Sequence, residues 1–282
     1  MCPVVAETRA LHCLVALLLA LLSGRFAPYY QVASRLNPSP KQRTTPMIAD
    51  TEAQVGLLEG MATTRAIRRY TDELVSDEQL QKVLFAATRA PSGSNRQPFR
   101  FLVLRDSERA REAKALIGGE AQRFWADKRA ADGYDSGSGS DADSPKARMA
   151  RTMEHFVDNF ATVPVLVLPC LVRYRSPMPT EGALIYPACQ NLLLAARAVG
   201  LGGVLSYWHS GVESDLRSLL EIPEGVSIAA TITLGYPAGS HGSVRRRPLN
   251  ELVYEDVWDG AAAWAADPPG TRFTSAGPPK RS

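Results

Sequence analysis

The chain has 282 residues, 45% hydrophobic and 22% charged, enough apolar sequence for one large core or two small ones. Its 32 basic and 29 acidic residues leave a formal charge of +3, a balance that excludes a dedicated nucleic-acid binder while weakly favouring anionic ligands. The cysteines (Cys2, Cys13, Cys170, Cys189) and histidines (His12, His155, His209, His241) show no C-x-x-C, H-E-x-x-H or comparable spacing, so no metal site is expected. Cys170 and Cys189 lie in apolar segments and are expected to be buried thiols.

In chain order, Leu11 to Leu22 is an apolar run with Arg9 before it and Ser23-Gly24 after it. It is too short for a stable membrane span, and reads as a weak signal-peptide core or as part of a dispensable extension. Met47 and Met61 are alternative internal starts, and the prolines of residues 25–48 mark a linker. The expected organisation is an N-terminal extension over 1–46, disordered or targeting, one folded domain over 47–258, and a tail over 259–282. A cytoplasmic location is expected, with export or membrane association through residues 1–24 left open.

Within the domain, residues 49–62 read as an amphipathic helix with Asp50 and Glu52 at its positive end. Ser76 and Gln79 form a capping-box pattern for a helix over 77–89 that ends before Pro91. Phe99 to Leu104 reads as a strand, 107–117 as a helix, and the Gly/Ser/Asp-rich stretch 131–145 as a mobile surface loop, either a cover for a site or a plain insertion. A helix is expected over 146–160, a buried strand over Val163 to Cys170, and a buried central helix over Ile185 to Val199 that stops at Gly200. Val204 to Tyr207 reads as a short strand, Val212 to Leu220 as a short helix and Ile228 to Leu234 as a further buried strand. This irregular mixture argues for an α+β domain with helices against four or five strands. There is no G-x-G-x-x-G after a first strand and no P-loop.

Four stretches carry candidate chemistry. In Thr64-Arg65-Ala66-Ile67-Arg68-Arg69-Tyr70, a helical turn would put Arg65 and Arg68 on one side, and guanidinium forks match phosphate oxygens. Ala90-Pro91-Ser92-Gly93-Ser94-Asn95-Arg96-Gln97-Pro98-Phe99 combines turn chemistry with short donors and acceptors suited to the edge of a heteroaromatic ring. Gly200-Leu201-Gly202-Gly203 would let backbone amides approach a flat ligand without interference from a Cβ. Arg245-Arg246-Arg247-Pro248-Leu249 adds late cations. Each alone also fits a bland reading, as a solvated charge patch, a plain loop or a helix cap.

With these four motifs in this order, the chain resembles the FMN-dependent nitroreductase family from about Leu57 to Trp258, the second motif before its apolar strand being the most specific. The resemblance implies a mixed, mostly antiparallel central sheet flanked by helices in an intertwined homodimer with FMN at the interface. It implies that Arg65 and Arg68 hold the phosphate and ribityl chain. Ala66 stands where many members have a serine, so a hydroxyl contact is lost. It further implies that Pro91, Ser92, Gly93 and Asn95 meet the flavin from the partner subunit with Gln97 beside them. Gly202 and Gly203 would lie near the reactive flavin nitrogen, and Arg245 and Arg247 would close on the phosphate, with the register of that triplet open. The implied activity is a ping-pong exchange in which NADPH or NADH reduces the flavin and a nitroaromatic or quinone-like acceptor reoxidises it. No side chain is assigned a catalytic acid or base role. Phe124, Trp125, Tyr207 and Trp208 are candidates for a wall over the ring, Arg123, Lys128 and Arg129 for a dinucleotide phosphate, and Trp258 and Trp264 for anchoring the tail on the partner. A low-turnover flavin-sequestering protein and a flavin-dependent dehydrogenase or dehalogenase are the alternatives.

Overall fold

The computed structural model describes residues 55–274. The expected extension over 1–46, the front of the first expected helix and the last eight residues lie outside them. The described elements are α1 (Leu57–Thr63), α2 (Asp77–Ala87), β1 (Phe99–Leu104), α3 (Glu108–Ala131), α4 (Pro145–Asp158), β2 (Val165–Val172), α5 (Tyr186–Ala198), β3 (Gly202–Ser206), α6 (Glu213–Leu219), β4 (Val226–Ile228) and β5 (Thr231–Gly235). None of these helices is long and apolar enough to cross a membrane.

The five strands form one sheet in the order β1-β2-β5-β3, with β4 also paired to β2. Every ladder between named strands is antiparallel. β2 is the axis, and its alternate residues serve two cores. Val165, Val167 and Leu171 pack with Val83, Leu192 and Ile232, beneath α2 and α5. Leu166, Leu168 and Cys170 pack with Ile117, Phe156, Phe160 and Leu216, beneath α3, α4 and α6. Burial on both faces explains why β2 reads as an unbroken apolar run with no polar alternation. Burial also pushes the Cys170 thiol up to about 11 and the Cys189 thiol up to about 12, so both are inert thiols, as expected.

Pro169 lies inside this central strand, a position proline normally avoids. The ladder accommodates it by a slip. Cys170 faces Ile228 and Val167 faces Ile232, one residue more than a continuous ladder allows. The extra residue falls at Ala229–Ala230, opposite the proline, and Ala229 N–H still donates to the Pro169 carbonyl at 2.8 Å. The expected strand began at Val163; pairing instead starts at Val165 and runs on to Val172.

The helices follow their caps. The Ser76–Gln79 capping box forms in both directions. Ser107 caps α3 and Ser144 caps α4, each accepting from the backbone N–H three residues on. The sequence predicted a helix ending near 117, but α3 runs 24 residues, through Gly118-Gly119. A Cβ on Gly118 would sit 3.5 Å from the Phe160 Cβ, an ordinary contact, and the glycine pair does not end the helix. The 131–145 stretch is tied locally: Arg129 pairs with Asp135, Tyr134 meets Trp125 edge-on, and Lys146 Nζ donates to the Asp132 carbonyl.

The segment after α1 is a break in helical structure, as the sequence reads there, and not the helical turn that would put Arg65 and Arg68 on one side. Thr64 leaves α1 extended, with φ −67° and ψ 118°, and the chain runs along the ends of β3 and β5. Ile67 N–H donates to Gly203 O at 3.0 Å, Thr71 N–H to Tyr236 O at 2.9 Å, and Ala238 N–H to Arg69 O at 3.0 Å. The Tyr70 hydroxyl bonds Ile67 O and Thr233 Oγ1 at 2.8 and 2.7 Å. This approach requires missing side chains on the sheet. A Cβ on Gly202 would lie 2.6 Å from Ile67 Cγ1, one on Gly203 2.4 Å from Thr233 O, and one on Gly235 2.8 Å from Tyr70 Cδ1.

Gly203→Ala is therefore expected to lower the unfolding free energy by about 1–3 kcal/mol. The effect would appear as a reduced urea midpoint at unchanged slope; an unmoved midpoint would show that the segment docks without needing that space. The buried His209 supplies a pH dependence. Its Nε2 meets Ile228 O at 3.0 Å and its Nδ1 meets Thr231 Oγ1 at 3.1 Å, an arrangement that suits the neutral ring. Burial lowers its pKa below the ordinary value. The unfolded chain then takes up the proton first, so stability is full above about pH 6.5 and declines as pH falls below it. His209→Gln, which can keep both bonds, is expected to flatten that decline in pH-dependent urea melts; an identical profile would remove His209 as its source.

Candidate functional site

The docked segment presents Arg65, Ala66 and Arg68 to a recess of about 310 Å3. Met61 and Thr64, Gln190 and Leu193 of α5, Gly203 to Leu205 of β3 and Arg246 complete its lining. The floor is β3, where Gly203 is buried and packed, and the cations stand around it. Arg246 arrives because Val244 N–H donates to Ala62 O at the end of α1 (3.0 Å) and Thr274 N–H donates to Arg246 O (3.0 Å). Arg65 and Arg246 also line a wider groove of about 1270 Å3 that contains Arg245 and Arg247. Arg68 and Arg69 face a third hollow of about 230 Å3 beside His155 and Asn159.

The charges around the recess are not balanced. Among the described residues, ten ion pairs hold surface arginines and lysines, yet Arg65, Arg68 and Arg246 join none of them. Burial, opposed by Tyr70 and reinforced by the charge of Arg65, pushes the Arg68 guanidinium below its usual range. His241 lies in the same field. Its two ring nitrogens are shielded from solvent and lie near the backbone of Thr63 and Leu201 without well-formed hydrogen bonds, and burial together with Arg197 and Arg65 lowers its pKa. Cations held near one another without a carboxylate favour an incoming anion. Phosphate oxygens fit the guanidinium fork, each charge-assisted bond being worth about 1.5–3 kcal/mol.

The late arginine triplet divides. Arg247 is neutralised by Glu251, its Nη2 lying 2.6 Å from Oε2. Arg245 faces only the wider groove, and Arg246, between them, reaches the recess. The family resemblance implies the two outer arginines, with the register of the triplet open. Glu251, four residues after Arg247, was the available signal that Arg247 already has a partner.

Gly202 and Gly203 lie inside β3, not in a turn beyond α5, and the space freed by their missing side chains is filled by Ile67, Thr233 and Leu234. Gly203 nevertheless lines the recess, so its close packing and its exposure to a ligand coincide.

Pro91, Ser92, Gly93, Asn95 and Gln97 line none of these recesses. They form a tight turn around the 3-10 helix Gly93–Asn95. Gln97 N–H donates to Ser92 Oγ at 2.8 Å and Gln97 Nε2 to Asn95 Oδ1 at 3.1 Å. Ser94, Asn95 and Gln97 have φ of 54°, 51° and 48°. Three left-handed non-glycine residues within four positions store strain of the kind found at binding sites.

The aromatic candidates separate by burial. Trp125 packs against Tyr134, and Trp208 against Phe156 and Phe160 at ring separations of 5.5 and 5.6 Å, so both are core residues and not an open wall. Phe124 and Tyr207 are exposed. Arg123, Lys128 and Arg129 are already matched by Glu120, Asp132 and the pair Asp135 and Glu154.

The Nitroreductase family model matches residues 61–236, more than half of the chain. An Archaeoglobus fulgidus protein provisionally named NADH dehydrogenase/NAD(P)H nitroreductase is 32% identical over 178 residues, 62% of this chain and 82% of that protein. The Bacillus subtilis FMN reductase [NAD(P)H] is 26% identical, over 72% of this chain and 74% of its own. A structure from Desulfovibrio desulfuricans, provisionally named a nitroreductase and solved in complex with FMN, is 30% identical with a TM-score of 0.52, covering 73% of this chain and 99% of that one. The matched span runs from the end of α1 to the residue after β5 and contains Arg65, Arg68, the strained turn and Gly202-Gly203. The chain belongs to the nitroreductase family.

Proposed function

We propose that this chain is an FMN-dependent oxidoreductase that takes hydride from NADPH or NADH and passes the electrons to nitroaromatic or quinone-like acceptors in a ping-pong exchange. The observation that carries the reading is the carboxylate-free set Arg65, Arg68 and Arg246 around a recess floored by β3. The residues present fit the group: an FMN phosphate supplies the anion that this set lacks, and the ring has a glycine-bearing strand to lie along. Relatives that bind FMN or use NAD(P)H support the same reading. Bound there, FMN supplies the two-electron exchange between nicotinamide and acceptor.

The chain's own groups bind and orient. Arg65 and Arg246 grip from two segments that meet only in the fold, while the half-buried Arg68 stands close to Tyr70. Gly203 contributes backbone surface without a side chain, and Gln190 an amide near the recess. The polar turn at Pro91–Gln97 completes the site from a second copy of the chain. Two features support this: the turn lies away from the recess of its own chain, and Leu57 and Leu58 on α1 are 67% and 80% exposed. Trp258 and Trp264 are also exposed and available to a partner.

Anaerobic stopped-flow spectroscopy tests the activity: mixing the yellow protein with NADPH or NADH should bleach the flavin band, and a nitroarene or quinone should restore it. A protein that remains colourless after FMN is supplied would overturn the reading. Arg246→Ala is expected to weaken FMN binding about tenfold to a hundredfold, one lost charge-assisted bond. Arg247→Ala, whose charge Glu251 already matches, is expected to change it by less than about threefold. Flavin-fluorescence titration ranks the two; the opposite order would reassign the phosphate contact within the triplet.

A further inference from the structure

The wide groove carries more positive charge than a single flavin phosphate can use. Six arginines line it: Arg65, Arg148, Arg245, Arg246, Arg247 and Arg272. The one lining carboxylate, Asp267, already accepts from Leu249 N–H at 2.9 Å, and Glu251 is committed to Arg247. Arg148, Arg245 and Arg272 have no ion-pair partner among the described residues; Arg148 donates only to the Asp143 carbonyl. The groove adjoins the recess, sharing Arg65 and Arg246, and at about 1270 Å3 it exceeds a typical small-ligand pocket of about 300–1,000 Å3. Its remaining wall is apolar at Pro145, Met149, Pro268 and Pro269, surfaces on which a planar base can lie, and guanidinium planes stack on bases as well.

We infer that this groove is a second anion subsite, one that takes the adenosine diphosphate moiety of a dinucleotide, its phosphates on Arg148, Arg245 and Arg272 and its purine along Met149 and the prolines. FAD and the nicotinamide dinucleotides both bear that moiety. The inference rests on the flavin reading only for the orientation of the ligand, with the recess holding the end nearer the redox ring. The groove's own charge does not depend on that reading.

The test is calorimetric titration of the FMN-loaded protein with ADP, at low and at physiological salt. ADP is expected to bind, more weakly as salt rises, and uncharged adenosine is expected not to bind. R148A/R272A, with unchanged flavin content and melting temperature, is expected to weaken ADP at least about tenfold; the single variants R148Q and R272Q serve if the pair does not fold. FAD that displaces FMN from the wild type more readily than from R148A/R272A assigns the moiety to the flavin dinucleotide. NADP+ binding to FMN-loaded wild type but not to R148A/R272A assigns it to the nicotinamide substrate. Absence of ADP binding, or ADP binding that R148A/R272A leaves unchanged, overturns the inference. A protein that never takes up FMN but binds ADP through these arginines would sink the flavin reading and keep the groove.

Discussion

The structure depends on one close approach: the extended segment 64–71 lying against the ends of β3 and β5. It is fixed by backbone bonds from Ile67 and Thr71 and by the Tyr70 hydroxyl, and it is possible because positions 202, 203 and 235 carry no Cβ. Those glycines exchange strand propensity for proximity. The result is that Arg65 and Arg68 are placed by the rigid sheet and not by a loop, and positions set on a sheet are held more accurately. Without that contact the arginines would be long, solvated side chains, and any anion would have to order them on binding.

The same contact sets cations close together in partly buried surroundings. Arg68 is half-buried beside the like charge of Arg65, and His241 is half-buried close to Arg65 and Arg197. Unpaired buried charge is costly unless a counter-charge arrives. A bound anion therefore contributes to folding as well as to chemistry, because it binds the folded state and not the unfolded one. The doubly buried β2, with its proline absorbed by the slip at Ala229–Ala230, provides the core that tolerates this expense.

Much of the fold was legible because it rests on local rules. The Ser76–Gln79 box, β1 and the buried helix before Gly200 follow from capping, hydrophobic pattern and a glycine stop. The boundaries that were missed depend on contacts outside the local window. α3 continues through Gly118-Gly119 to Ala131 packed against α4, and β2 carries Pro169 internally because the slip at Ala229–Ala230 accommodates it. Arg65 and Arg68 line one recess, but not through the helical spacing that their positions suggest. Their convergence comes from docking on β3, which no window of sequence contains. Within Arg245–Arg247 the structure pairs Arg247 with Glu251 and brings Arg246 to the recess, and Glu251 is near enough in sequence for that pairing to be legible.

A single chain holds only part of what the proposed site needs. The recess gathers cations and a glycine floor but few uncharged hydrogen-bonding groups, Gln190 and Thr64 being the side chains that offer them. The segment richest in such groups, Ser92 to Gln97, faces outward in a strained turn whose polar atoms bond chiefly to one another. Strain maintained on an exposed turn contributes nothing to the stability of its own chain, and relaxing it would need only a few dihedral changes. Its persistence is understandable if the turn is shaped for a surface it meets in another copy. The exposed Leu57 and Leu58 of α1 point to the same conclusion, because apolar side chains on a short helix with only Gly60 buried give that helix little reason to be stable alone. A second copy that covers α1 and delivers its turn to the recess would answer both, making assembly and completion of the site one physical event.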